Sequence, residues 1–260
     1  SRGAVGVSVT RPGDAVGPES ASADVWDANA TWWKETFTDG ADQEYEVEIL
    51  PLVASELSGC RRIVDIGCGE GQVARRLANG DARVVGVDPS SAQLKNALGA
   101  PGHSIAYVQA LGEKLPLASG SVDGVVCCLV IEHALDADVV LAEAARVLAP
   151  GGRFLLVVNH PAFQGPGSGF VDDQILDERY WRVGPYLKEQ WVVENVDSSV
   201  SLGFSHRPLS RYVNPAIDAG LVLTRLIEPA PERDLLDGST DPDFEMTIPR
   251  LCAMRFARLC

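Results

Sequence analysis

The chain of 260 residues carries 36 acidic and 22 basic side chains, a formal net charge of -14, with 46% hydrophobic and 22% charged residues. This is the composition of a globular domain large enough to bury a core without disulfides or a structural metal. It argues against nucleic acid, whose phosphates need clustered Lys and Arg, and against a membrane span, since the longest uncharged apolar run, Val125 to Ile131, falls far short of ~20 residues.

In chain order, residues 1–22 are rich in Gly, Ser and Pro, hold no aromatic residue and are expected to form a flexible tail. Residues 23–58 carry Trp26, Trp32, Trp33 and Phe37, then Tyr45, Val47, Ile49 and Leu50, at spacings that predict two short amphipathic helices split at Thr38-Asp39-Gly40. These form an N-terminal helical lid. Ile63 to Ile66, Val84 to Val87, Ile105 to Val108, Gly124 to Ile131 and Phe154 to Val158 read as strands. Helices around Val73 and Leu77, from Ser90 through Leu98 and over Ala137 to Leu148 lie between them, which predicts a parallel sheet with helices on both faces across residues 59–163. Residues 164–206 break the alternation with Gly, Pro, seven acidic residues and Tyr180, Trp181, Tyr186 and Trp191, and read as a cap insertion with small elements of its own. A helix over Leu209 to Ala219 and strands over Leu221 to Ile227 and Leu251 to Leu259 complete the core within residues 207–260. No basic and apolar leader is visible, and cysteines 60, 68, 127, 128, 252 and 260 lack CxxC spacing, so the thiols are expected to be reduced and the protein cytoplasmic. No metal site is expected.

The most informative stretch, Val64-Asp65-Ile66-Gly67-Cys68-Gly69-Glu70-Gly71-Gln72, follows the first strand and opens a helix. Glycines there let the backbone turn tightly and let a ligand approach without meeting a Cβ. A dinucleotide fingerprint would need glycine at position 72, and Asp65 would repel a pyrophosphate but suits an ammonium group. Asp88, at the end of the second strand, is placed to accept hydrogen bonds from ribose hydroxyls. A nucleoside bearing an ammonium group and no phosphate describes S-adenosylmethionine.

Together with VVGVDPS, GEKLPLASGSVDGVV, CLVIEH, EAARVLAPGGRFLLVVNHPAF and HRPLSRYV, this loop makes the chain resemble the class I S-adenosylmethionine-dependent methyltransferases, within them the small-molecule group called type 11. The resemblance implies a Rossmann-like, seven-stranded, mostly parallel sheet with an N-terminal helical lid and a cap after strand five. It implies that Asp65, Gly67, Gly69 and Gly71 hold the methionine end of the cofactor with Cys68 filling space between them, that Asp88 binds the ribose and that Pro89 lies beside the adenine. Gly112 and Glu113 would follow the adenine edge, and Leu129 would line the reacting methyl. Where similar enzymes carry Asp-Ala-Glu, this chain has Leu111-Gly112-Glu113, leaving backbone groups or Glu113 to meet the adenine amino group.

His133 and His160 follow strands four and five, at the carboxyl ends where an open α/β sheet forms its crevice, and each is a candidate base or substrate contact beside a plain structural role. Trp33, Tyr186 and His206 are expected in a lid over a small-molecule acceptor of apolar or aromatic character. The implied reaction is methyl transfer to an O, N or C atom. The same motifs would also serve a protein that keeps fold and cofactor but acts as a scaffold or catalyses a different biosynthetic step.

Overall fold

The computed structural model describes residues 23–78, 80–100, 105–197 and 200–259. The expected tail over 1–22 lies outside them. Helix α1 (Ala23–Phe37) ends at a turn where Asp39 and Gly40 both take positive φ, and a π-helical turn, Tyr45–Ile49, runs into α2 (Leu50–Glu56). The core follows as β1 (Arg62–Ile66), α3 (Gln72–Leu77), β2 (Arg83–Asp88), α4 (Ser91–Gly99), β3 (Ala106–Gln109), β4 (Val122–Cys128), α5 (Ala137–Val147) and β5 (Leu148–Asn159). After the cap come α6 (Ser210–Asp218), β10 (Leu221–Ile227), the short α7 (Pro242–Glu245) and β11 (Leu251–Arg258).

Seven strands form one sheet in the order β10-β11-β5-β4-β1-β2-β3, with β11 antiparallel to both neighbours and the remaining pairs parallel. The expected mostly parallel seven-stranded sheet is therefore present. Parallel strands covered on both faces read as continuous apolar runs, and β1 is buried from Ile63 to Ile66. Alternate residues serve opposite faces. Val64, Val125, Leu156, Phe154 and Phe256 pack beneath α5 and α6, whereas Ile63, Val126, Leu155 and Val157 pack beneath α2 and α3. Cys60, Cys68, Cys127, Cys128 and Cys252 are all buried and unbridged.

The chain runs outward from β1 through β2 to β3 and then returns to place β4 on the other side of β1. The carboxyl ends of β1, β2 and β4 thus open a crevice, the point at which such sheets bind ligands. Residues 164–206 form two antiparallel hairpins, β6 (Gly169–Asp173) with β7 (Glu178–Arg182) and β8 (Gln190–Asn195) with β9 (Ser201–His206). Among the described residues no helix is long and apolar enough to cross a membrane.

Candidate active site

The crevice holds a mostly apolar cavity of about 190 Å³. Its floor is the loop between β1 and α3. Gly67, Gly69 and Gly71 all take positive φ, but for different reasons. A Cβ on Gly67 would lie 2.3 Å from Val130 Cγ1, and one on Gly71 2.3 Å from Tyr107 Oη, so these two let the loop pack on its neighbours. A Cβ on Gly69 would meet nothing within 4 Å; it would enter the cavity. Gly71 caps α3 and, against expectation, is not among the lining residues.

Two carboxylates stand over this loop. Asp88 Oδ2 accepts from the Gly69 N–H and Oδ1 from the Ser90 N–H, each at 2.8 Å, which ties the end of β2 to the glycine loop. Asp65 is only 2% exposed, and its Oδ2 has no hydrogen-bond partner among the described residues. Burial, then the nearby Asp88 charge, push the Asp65 carboxyl well above the usual carboxylate range; burial also raises Asp88, against the two backbone donors. Two acids held unfavourably in one apolar cavity, one with an orphan oxygen, are an arrangement that a cation carrying hydrogen-bond donors would relieve.

Leu129, just past β4, has φ +55, a left-handed conformation that costs a non-glycine residue about 1 kcal/mol or more. Its N–H bonds Val157 O at 2.8 Å, which holds the strained residue against the cavity. His133 follows on a short 3-10 turn, Ile131–His133, and lines the same cavity. Its Nδ1 is 2.8 Å from Gly203 O in β9. A carbonyl only accepts, so Nδ1 carries the proton and Nε2 is left with a lone pair. Burial lowers the His133 pKa, with the Gly203 carbonyl opposing more weakly, so the ring is held neutral. Trp26 meets the ring edge-on at 5.1 Å between centroids and meets Trp33 in the same manner at 5.4 Å. Arg207 donates to Ile131 O at 3.1 Å and to Ala134 O at 3.2 Å, bracketing His133 with two fixed carbonyls.

Residues 64–156 match the family model described as a methyltransferase domain. A ubiquinone biosynthesis O-methyltransferase from Rhizobium johnstonii is 30% identical over 182 residues, covering 65% of this chain and 72% of that protein. This chain belongs to the class I S-adenosylmethionine-dependent methyltransferases. A ubiquinone/menaquinone biosynthesis C-methyltransferase from Rubrivivax gelatinosus is 44% identical over 97 residues, 36% of this chain and only 38% of that relative's length. Among solved structures, an S-adenosylmethionine-dependent methyltransferase from Mesorhizobium loti superposes with a TM-score of 0.67 at 26% identity, covering 84% of this chain and 98% of that one.

The cofactor of these methyltransferases fits the residues present. The orphan Asp65 oxygen faces a need for a donor, the space beside Gly69 admits a ligand, and each Asp88 oxygen keeps a lone pair beyond its backbone bond. Pro89, Gly112, Glu113, Cys68 and Leu129 line the cavity with them. Glu113 Oε1 also approaches the Asp136 N–H, at 3.5 Å, where Asp136 caps α5. Burial pushes the Cys68 thiol well above its ordinary range, so it fills space as a neutral group.

Other expected positions fall elsewhere in this chain. His160 is buried away from the cavity, with Nε2 donating to Glu228 at 2.7 Å and Nδ1 accepting from the Ala162 N–H at 3.2 Å. Both nitrogens are spent, so the expectation of a base at His160 is corrected to a structural tie between β5 and the segment before β11. Of the expected lid, Trp33 lines the cavity but Tyr186 and His206 do not. Tyr186 Oη accepts from the Leu209 N–H at 2.9 Å, which fastens the cap to the core, and His206 Nε2 donates to Tyr186 O at 2.8 Å, a bond within the cap. Sequence reasoning missed Trp26, Tyr45 and Gln93 as cavity residues. It placed the first two only on an apolar helix face, and nothing in the local pattern marks Gln93.

Proposed function

We propose that this protein transfers the methyl group of S-adenosylmethionine to a hydroxyl of a planar, largely apolar small molecule, with His133 as the base. The supporting observation is His133 itself: a neutral ring with its Nδ1 proton committed to Gly203 O, so that only an acceptor is left at the cavity wall. The presence of an O-methyltransferase among the relatives is consistent with that choice.

When bound, S-adenosylmethionine supplies a methyl group already activated by the positive charge of its sulfur. Asp65 would hold its ammonium group, Asp88 its ribose, and Pro89 with Gly112 and Glu113 its adenine. Holding reactants at attack distance is worth about 7–11 kcal/mol, so alignment carries most of the rate. Trp26 and Trp33, set edge to face, shape one wall for a flat ring. His133 Nε2 then takes the hydroxyl proton as the oxygen gains its methyl group, a contribution of about 10²- to 10⁴-fold. Among the described residues no Lys or Arg lines the cavity, which disfavours carboxylate or phosphate acceptors.

The test is a panel of hydroxylated aromatics, their amine counterparts and their carboxylates, scored for S-adenosylhomocysteine release. Turnover is expected with phenolic members. Turnover confined to amines or carboxylates would overturn the assignment.

A further inference from the structure

His133 projects from a single 3-10 turn, Ile131–His133, closed by backbone bonds from the His133 N–H to Val130 O at 2.8 Å and from the Ala134 N–H to Ile131 O at 3.3 Å. A turn of that length does not hold its own shape in water, so the aim of the imidazole is set by what the turn is tied to. Three ties reach it from outside. Glu132 Oε1 accepts from the Asn159 N–H, at the end of β5, at 2.9 Å. Gly203 O receives the Nδ1 proton of His133 at 2.8 Å. Arg207 supplies the third, with Nη1 on Ile131 O at 3.1 Å and Nη2 on Ala134 O at 3.2 Å.

Gly203 lies in β9 and Arg207 follows directly on its last residue, His206, so one short stretch of chain grips both the ring of His133 and the backbone on either side of it. Arg207 is only 8% exposed, and the Tyr212 hydroxyl of α6 faces its guanidinium. A buried cation persists only where its hydrogen bonds are recovered, and an apolar side chain would fill the same space without that cost. Here the bonds are recovered on the two carbonyls that flank one residue. The planar fork of arginine spans two acceptors at a fixed separation, which the point charge of a lysine does not. Arg207 itself stands outside the cavity lining, so it acts through the turn.

We propose that Arg207 is a positioning residue for His133, its guanidinium clamping the backbone on both sides so that Nδ1 meets Gly203 O and Nε2 is held at the cavity wall. The proposal rests on the reading of His133 as the base. Misplacing a reacting group by about 1 Å costs up to about 10²-fold in rate, so the clamp is expected to act on kcat and to leave cofactor affinity alone.

The experiment compares wild type, Arg207→Lys, His133→Gln, the double variant and Tyr212→Phe by turnover of a phenolic acceptor, by calorimetric titration of S-adenosylhomocysteine and by NMR of isotope-labelled imidazole nitrogens. With four histidines in the chain, the His133 signals are assigned by their disappearance in His133→Gln. Arg207→Lys is expected to bind S-adenosylhomocysteine as wild type does, to lose about ten- to a hundredfold in kcat, and to move the His133 signals from the Nδ1-protonated tautomer toward a mixture of the two. In the His133→Gln background the same substitution should cost no further activity, because the residue it positions is gone. Unchanged His133 signals in folded Arg207→Lys would overturn the proposal, as would an equal loss of kcat with and without His133. Tyr212→Phe, which leaves the fork in place but removes the hydroxyl facing it, carries the test if the lysine variant does not fold: a smaller shift of the same signals is expected, and unchanged signals would overturn the proposal there too. Wild-type turnover in His133→Gln would instead refute the base itself, while the tautomer shift in Arg207→Lys would still report the clamp.

Discussion

His133 reaches from the loop after β4 to the carbonyl of Gly203 in the cap, 2.8 Å away. One hydrogen bond thus joins the core to the cap and fixes the proton on Nδ1, while burial keeps the ring uncharged. If His133 is the base proposed above, the cap sets its tautomer through a backbone carbonyl. Its aromatic side chains Tyr186 and Trp181 serve to attach it, the latter through Nε1 to Phe163 O at 3.2 Å.

Because the His133 pKa is lowered from 6.5, turnover is expected to rise with pH, to have its midpoint below that value and to be flat above neutrality. The same shift makes the fold less stable as pH falls below the unfolded value, since protonation favours the unfolded chain. His133→Gln should lower kcat by about 10²- to 10⁴-fold and leave cofactor affinity unchanged. A pH-rate profile of both proteins checks this; a profile for wild type that is level from pH 5 to 8 would argue against the base, on the about 6.5 reference of a free imidazole.

Asp65→Asn should separate stability from binding. The Asp65 pKa is raised in the folded protein, so the ionised carboxyl opposes folding and the unliganded protein loses stability as pH climbs from the ordinary carboxylate range. Removing that charge is expected to raise Tm at neutral pH while weakening S-adenosylmethionine by about ten- to a hundredfold, the worth of a hydrogen bond to a charged group. Calorimetry and melting curves supply both values.

The glycine loop offers a contrast within three residues. Gly67→Ala would drive a methyl group into Val130 and should lower Tm sharply, whereas Gly69→Ala points into open cavity and should melt within a few degrees of wild type. Only the second is expected to lose cofactor affinity with its fold retained. Equal loss of stability in the two would mean that the cavity is not open at Gly69.

Asp27 of α1 accepts from Ser90 Oγ at 2.5 Å and from the Ala92 N–H at 3.0 Å, tying the lid to the start of α4. The Ala92 N–H, followed by the Ser90 hydroxyl, holds the Asp27 carboxyl below its ordinary range, so this tie is present above the unfolded pKa and is lost as pH falls through the lower folded one. Asp27→Ala is expected to speed S-adenosylhomocysteine dissociation several-fold in stopped-flow measurements, with less effect on association. Unchanged dissociation would make α1 a fixed wall.

That Asp65, Gly67, Gly69 and Asp88 would share one cavity was legible because their grouping is local. Asp65, Gly67 and Gly69 lie in one loop, and Asp88 ends the next strand, so strand-turn-helix order alone brings them together. The seven-stranded sheet was legible for the same reason, through apolar runs alternating with helical periods. The acceptor end depends on long-range pairings that no local pattern carries. Nothing near His133 in sequence announces Gly203, and His160 looks equivalent to it until Glu228 and the Ala162 N–H are seen to occupy its ring. The cap hairpins escaped notice because their strands are short and half-exposed, without the buried runs that mark the core. Leu129 could be placed by motif, but its positive φ belongs to no residue-type preference.

The most direct measurement is the fate of an isotopically labelled methyl group. Incubating the protein with S-adenosylmethionine labelled in that group and a phenolic acceptor is predicted to give labelled ether and S-adenosylhomocysteine in equal amounts, with both suppressed together in His133→Gln. Conversion of the acceptor without label, or without S-adenosylhomocysteine, would contradict the account and leave the cofactor a structural part of a different catalyst.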